Sequence, residues 1–549
     1  MAEISTLNGY KIKDKKAVRY YNTVADMVAD TTLKNGMHAK TKGYYTVNDG
    51  GASEYHITNT QSLSDYQEEL NNNLYATLII ENLLNAKQMG AYGDGVHDDT
   101  QILQSAINTN KRLILNGTFK ITNCLTVDVG YHKGIEGDGI AKIKSDFTDR
   151  QFDSFKLVNS LYGEPLTGNY GTARNFIIKN LIITEINEQN ITSTTHYGSG
   201  ICLGNGCNNL KFDNITISNF MYGIVAPSTS HGIYLNKFSN IKTNNNDYGL
   251  YFNTSPSNDS GENNSFDQCS FATSKLGNHF GADTYFNFVN CSFDYSLGNT
   301  FIIKDNTFIN MSGCHIEWYH STPLINIEYD GSIRFFGCSF VKSSYDDGGS
   351  PDKMIQVTQG NGLPEIIFDS CSFLMGRTYT ALNNGIPYIK FINCCRRESD
   401  PSNYISTAYD IINCTEANKY LYPLNFDSGL TRNQTRIKVT CTTENNGNRL
   451  FIPLNYNNKD IKITLTLNSS INLSTDVYVG SGKFLGENII ESIGAVSKTV
   501  SLTASTDTTV TIIHKFRKGL TYQPFLRFDL NNLTQGATFE VKNISMQII

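Results

Sequence analysis

The chain has 549 residues, several times the ~100–150 of one domain, so a single small module is excluded. Charged residues make up 17% and hydrophobic ones 39%, with 30 Phe and 31 Tyr, which excludes the charge-rich, aromatic-poor make-up of a disordered chain. A net charge of −6 gives no basic footprint for a phosphate backbone, so nucleic acid is not expected as the main partner.

The opening, MAEISTLNGYKIKDKK, carries no apolar run, and no stretch approaches the ~18 apolar residues of a membrane span. A soluble protein without an encoded export signal is expected. In residues 90–110, Asp98, Asp99 and Thr100 precede Ile102, Leu103, Ala106 and Ile107, a pattern that predicts a capped amphipathic helix over 98–109. KRLILNGTFKIT follows, a strand–turn–strand with Asn116 and Gly117 at the turn, and then GIEGDG at 134–139. A helix laid over the first coil of a solenoid would close its open end, which must be covered for solubility.

The solenoid itself is read from a repeat. FDQCSF, FVNCSF, MSGCHI, FFGCSF, FDSCSF and FINCCR surround Cys269, Cys291, Cys314, Cys338, Cys371 and Cys394, with gaps of 22, 23, 24, 33 and 23 residues. Upstream the frame continues with Leu181, Ile215 and Ile241 in the Cys slot, and IINCTE at Cys414 reads as the last member. Coils of this length with short alternating β runs predict a right-handed parallel β-helix; the L-x-x-L-x-L pattern of leucine-rich repeats is missing. Phe266, Phe288, Phe335 and Phe368 would form an aromatic column beside a column of reduced, buried thiols. Asn at the corners fits left-handed turns, and the longer gaps 181→215 and 338→371 are expected to hold lateral loops. After Cys414 the frame ends, and Ile461, Ile463, Leu465 and Leu467 alternate, which predicts an antiparallel β-sandwich over 418–549.

GDGVHDDTQILQSAI, with LILNGTFKI and GIEGDG, resembles the opening of pectate-lyase-like β-helix proteins of the phage tailspike and depolymerase kind. The segment VRYYNTVADMVADTTLKNGMHAKTKGYYTVNDGGASEYHI, residues 18–57, is similar to the N-terminal module that precedes such helices in tail proteins of phages of Gram-positive bacteria. The resemblance implies an all-β chain with a head module at 1–85 that attaches to the virion, a β-helix at 86–417, and a terminal sandwich that trimerises or holds carbohydrate. It also implies a homotrimer on a phage tail, contacting other tail or baseplate proteins and acting at the host surface on exopolysaccharide, capsule or teichoic acid. Asp94, Asp98 and Asp99 become turn and cap residues, in keeping with the preference of helix N-termini for carboxylates.

No HExxH, GxSxG, Walker A or GxGxxG frame is present. Glycan cleavage on a β-helix needs carboxylates projecting from neighbouring coils. If Cys and Cys+2 point inward, Cys+1 and Cys+3 point outward. The Cys+3 column reads Ala272, Asp294, Glu317, Val341 and Leu374, which sets Asp294 beside Glu317 with backbones ~4.8 Å apart. Two carboxylates that close would raise one pKa, as a general acid requires. His315 at Cys+1 joins them as a catalytic candidate, and Trp318, Tyr295, Tyr319 and His320 are the candidate sugar-contacting residues, with Trp318 and Tyr295 both at Cys+4. Polar residues are also ordinary on a solenoid exterior. A second column, Asp283, Asp305 and Asp330 with His279 nearby, is the next choice, and loops with Glu188, His196, Asp346 and Asp347 could line a groove. Acid–base hydrolysis is the leading chemistry. Teichoic acid phosphodiester cleavage is weakened because no His/Asp/Glu metal set is read, although a divalent cation is left open. A lyase would need a base such as Arg334 from the next coil. A receptor-binding spike without turnover is the alternative from another class.

Overall fold

A computed structural model describes residues 6–7, 10–11, 18–62, 66–147, 152–163, 176–186, 196–253, 261–281, 284–304, 306–318, 323–328, 331–342, 355–359, 364–374, 388–392, 394–396, 410–412, 415–416, 425–426, 430–433, 437–441, 449–453, 461–485, 488–514, 523–530 and 532–548. The chain divides into two compact units, one of Met1–His279 with Thr284–Phe286 and one of Phe280–Asp283 with Asn287–Ile549.

After a two-stranded antiparallel pair, Thr6–Leu7 with Tyr10–Lys11, the first unit has a five-stranded sheet, in the order Val18–Tyr21, His38–Thr41, Glu54–Thr58, Tyr75–Leu78 and Gln67–Glu69. A short helix, Val24–Ala29, starts at a reciprocal cap between Thr23 and Asp26. The expected second helix spans Thr100–Asn108, two residues later than the start predicted at Asp98, and buries Leu103, Ala106 and Ile107. Local hydrogen bonding explains the shift. Asp98 accepts from the Thr100 amide at 3.0 Å and from the Thr122 hydroxyl at 2.7 Å, so it ends the preceding strand rather than opening the helix. Asp99 turns back to accept from the amides of Tyr92 and Gly93 at 2.7 and 3.0 Å, and burial pushes its pKa up. Asp94 accepts from the amides of Val96 and His97, which bring its pKa down to about 2. All three carboxylates therefore bind turns.

The repeat frame predicts strand register. Ile177–Glu185, Lys211–Ser218 and Lys237–Asn244 run parallel, with Leu181 opposite Ile215 and Ile215 opposite Ile241. Phe212 and Phe238 stack at 4.7 Å, and Phe238 and Phe266 at 4.4 Å. A second parallel sheet in this unit contains Leu125–Asp128, Asp153–Val158, Tyr197–Leu203, Phe220–Ala226 and Tyr248–Phe252. Buried Asn236 and Asn264 accept the backbone amides of Leu210 and Asn236 across successive coils, which satisfies donors at bends that no strand could pair.

The second unit repeats the plan. Phe308–Ser312, Ser332–Phe336, Glu365–Asp369 and Tyr388–Ile392 form one ladder; His315–Trp318, Ser339–Lys342, Ser372–Leu374 and Cys395–Arg396 form the adjoining one. Phe301–Ile303, Ile325–Glu328 and Ile355–Gln359 make the other wall. Phe335 and Phe368 stack at 5.0 Å as the aromatic column required, although Met311 fills that slot one coil earlier. The loops within 187–195 and 343–354, and Cys414, lie outside the described residues.

In both units the residue before the Cys slot is left-handed. Asn180, Asn214, Asn240, Gln268, Asn290, Gly313, Gly337 and Ser370 all have φ between 52° and 63°. This single residue turns the chain from one wall into the next, and Asn or Gly tolerates it best. The thiol after it points inward and donates to carbonyls: Cys371 Sγ lies 3.5 Å from the oxygen of Phe335 and Cys394 Sγ 3.3 Å from that of Phe368. Hydrogen bonds to Cys291 and Cys338, together with burial, push the Cys314 thiol up. These are reduced structural cysteines.

Beyond the coils, antiparallel strands form two five-stranded sheets, one ordered Asn425–Phe426, Arg449–Pro453, Gln523–Asp529, Leu473–Leu485 and Asn488–Leu502, the other Leu430–Asn433, Ile437–Cys441, Thr538–Ile548, Ile461–Ser469 and Thr508–His514. Ile463, Leu465, Val477, Val479, Phe528 and Phe539 join one core between them, a β-sandwich.

Replacing Asn290 with Val should lower the thermal midpoint by an amount equivalent to ~1–2 kcal/mol, because a β-branched residue resists the left-handed corner; Ser370→Gly should raise or preserve it. In native protein, a thiol-reactive dye should leave Cys291, Cys314, Cys338, Cys371 and Cys394 unmodified until denaturant is added.

Candidate active site

In the second unit the strands Ser292–Ser296 and His315–Trp318 pair in parallel, with Ser292 opposite His315, Phe293 opposite Ile316 and Asp294 opposite Glu317. Phe293 and Ile316 are fully buried, so their neighbours along each strand face outward. Asp294, His315 and Glu317 are partly exposed, and one donor atom from each lies within 4.8 Å of the others. The spacing argument thus brings these three residues together.

Hydroxyls of the Cys+1 column orient the group. Ser292 Oγ donates to Asp294 Oδ2 at 2.7 Å, and Ser339 Oγ lies 2.9 Å from His315 Nδ1. Asp294 Oδ1 is shielded from solvent and has no hydrogen-bond partner. Two carboxylates and an imidazole in this arrangement can pass a proton, attack an electrophilic carbon, or hold a divalent cation. The metal-capable set that the sequence reading found missing is assembled by strand register.

The Cys+4 pairing requires correction. The register shifts between Asp294 and Ser296, so Trp318 lies opposite Ser296 rather than opposite Tyr295. Tyr295 has φ +55° and forms a bulge, which takes it out of the ladder and leaves it exposed. Trp318 lies opposite Lys342 in the following coil. The side chain of Trp318, and residues Tyr319 and His320, lie outside the described residues, as do Asp283, Asp305, Asp330, Glu188, Asp346 and Asp347.

Other candidates are engaged elsewhere. His196 is buried, with Nδ1 2.8 Å from Asp247 Oδ1. His279 belongs to the first unit, where its ring stacks on Tyr251 at 4.5 Å. Arg334, the residue a lyase reading would call on, donates to Glu365 at 2.7 Å and covers the ring of Phe308.

Sequence reasoning missed a tyrosine cluster in the first unit. Tyr222 and Tyr248 are register partners, and Tyr251 lies 4.6 and 4.8 Å from them. Asp153 sits two coils along the same wall, opposite Ser199, whose hydroxyl donates to it at 2.5 Å; burial pushes its pKa up. The pairs Tyr222–Gly223 and Tyr248–Gly249 carried the signal, but outside the Cys frame.

No family model and no curated protein matches the chain. Solved structures do. The enzymatically active domain of tailspike protein 4 from bacteriophage CBA120 superposes with a TM-score of 0.52 and 12% identity, over 96% of this chain and 77% of that one. The likeness is one of fold. The full-length tailspike protein 2 of an Escherichia coli O157:H7 bacteriophage gives 0.51 and 11%, over 96% and 82%. The gp42 tailspike of Acinetobacter phage vb_AbaP_AS12 gives 0.50 and 12%, over 92% and 95%. These spikes come from phages of Gram-negative bacteria, so they lend no support to the Gram-positive type suggested by the head segment.

His196→Ala should destabilise the first unit by ~1–3 kcal/mol, the cost of leaving the Asp247 carboxylate without its buried partner. Chemical denaturation read by circular dichroism checks this; an unchanged midpoint would contradict the structural role assigned to His196.

Proposed function

We propose that the chain is a phage tail spike that binds a bacterial surface glycan and depolymerises it by acid–base hydrolysis at Asp294 and Glu317. The observation that carries this reading is the carboxylate pair, in register on adjacent strands with oxygens within 4.8 Å. Retaining glycosidases hold their carboxyl groups ~5–5.5 Å apart and inverting ones ~6.5–9.5 Å, so the pair favours retention. The tailspike fold, shared with a domain described as enzymatically active, supports the assignment.

In this mechanism Asp294, steered by Ser292, attacks the anomeric carbon while the glycosidic C–O bond breaks and Glu317 gives its proton to the leaving oxygen. Glu317 then takes a proton from water, whose oxygen displaces Asp294 and regenerates both groups. His315 borders the pair and supplies a further hydrogen-bonding group. Tyr295, Trp318, Tyr319 and His320 are assigned to sugar contacts, with an aromatic ring stacking on the sugar. The polymer is exopolysaccharide, capsule or teichoic acid. The protein acts as a homotrimer on the virion tail, with residues 1–85 joining it to other tail proteins and 418–549 trimerising the chain or holding carbohydrate.

Purified protein should release reducing ends from host surface polymer, and Glu317→Gln should lower kcat ~10²–10⁴-fold while glycan binding persists. Activity retained in the variant would move the acid elsewhere. Binding without product by the wild type would make the protein a receptor-binding spike, and phosphate release without reducing ends would replace the glycosidase with a phosphodiesterase.

A further inference from the structure

We propose that Asp294, His315 and Glu317 form a site for a divalent transition-metal ion, and that filling it switches off the hydrolysis assigned to the same carboxylates; the switch, though not the metal site, rests on that reading. Three observations converge. A donor atom from each side chain lies within 4.8 Å of the other two, whereas donors around a four-coordinate zinc stand about 3.3 Å apart, as bonds of 2.0–2.1 Å require. Small side-chain rotations close that difference. Second, Asp294 Oδ1 is shielded from water and accepts no hydrogen bond, an arrangement that costs free energy unless a cation completes it. Third, a supporting shell is already built: Ser292 Oγ holds Asp294 Oδ2, and Ser339 Oγ engages His315 Nδ1, which fixes the ring and leaves Nε2 as its metal-binding nitrogen. Such outer hydrogen bonds orient metal ligands.

The donor set selects the ion. Calcium and magnesium prefer oxygen ligands throughout, while one imidazole with two carboxylates suits zinc, manganese or cobalt. Coordination requires both carboxylates deprotonated. With the ion in place Glu317 has no proton to deliver and Asp294 has no free lone pair aimed at the sugar, so metal and glycan turnover exclude each other.

The test is calorimetric titration of the full-length, EDTA-treated protein with zinc chloride in a non-chelating buffer. One zinc per chain is expected, weakened at least tenfold by His315→Ala and by Glu317→Gln, with calcium chloride binding at least a hundredfold more weakly. Circular dichroism verifies that both variants fold, and Cys124→Ser, which removes a half-buried thiol elsewhere, should leave zinc binding unchanged. Absence of zinc binding, or binding that survives both site variants or is lost with Cys124, overturns the site. A reducing-end assay with and without zinc separates the two readings. Zinc bound at these residues by a protein that cleaves no glycan sinks the hydrolase and leaves the metal site standing. Cleavage by a protein that binds no zinc sinks the metal site alone, and cleavage undiminished by bound zinc sinks the switch.

Discussion

The structure depends on one left-handed residue per coil. A parallel strand cannot change direction sharply while both its faces keep their alternation, because a regular strand turns too slowly. A single residue at φ near +55° redirects the chain within one step. It recurs from Asn180 to Ser370 immediately before the inward-pointing Leu, Ile or Cys. That position explains several otherwise separate features of the sequence. Asn and Gly dominate it because other side chains meet the following carbonyl oxygen there. The next residue must be compact, since it fills the inside of the bend, and Cys adds a weak donor that reaches carbonyls such as that of Phe368 in the preceding coil. The Phe three places earlier lies on a straight run, where stacked rings such as Phe335 and Phe368 repeat with the strand spacing.

The corner also fixes where the candidate residues stand. Because every coil restarts its register there, side chains a fixed number of residues beyond it are stacked on one another. Asp294 and Glu317 stand three positions past their cysteines, so their pairing follows from the corner and the pleat alone. No loop conformation is involved, which suits a site that holds two carboxyl groups close together: the ladder hydrogen bonds fix a spacing that mobile segments would not keep. The serines at the Cys+1 positions serve the group in the same way, since Ser292 and Ser339 flank His315 in one column.

This dependence explains what could be read in advance. Position in the coil is a matter of counting, so the coil frame, the sandwich and the Asp294–His315–Glu317 group were legible from spacing. Counting fails wherever one residue is inserted. Tyr295 is such a residue: its left-handed backbone shifts the ladder by one position and moves Trp318 opposite Ser296. Nothing in SFDYS marks the bulge, because Tyr is not a residue that left-handed geometry favours. The helix boundary was misplaced for a related reason. Asp98 and Asp99 look alike as caps, and which one ends a strand is decided by Thr122 and by the amides of Tyr92 and Gly93. The tyrosines at 222, 248 and 251 escaped because they occupy the other wall, where Tyr–Gly pairs recur and the repeating Cys slot does not.

A cluster that spacing alone assembles has a chemical consequence. Columns on a solenoid bring identical positions together without regard to charge, so Asp294 and Glu317 must be compensated by something: a shared proton, a hydrogen-bond donor, a sugar hydroxyl or a cation. Ser292 answers for one oxygen of Asp294, and the other remains without a partner. Proton and cation are alternative solutions to the same electrostatic problem, and only the proton leaves a group able to donate to a leaving oxygen. His315 adds a nitrogen donor to the two carboxylates, and that mixed set is the kind a transition-metal ion takes. If the pair hydrolyses glycan as proposed, the geometry that serves hydrolysis is also the one a zinc ion would occupy, so the two uses compete for the same carboxylate oxygens.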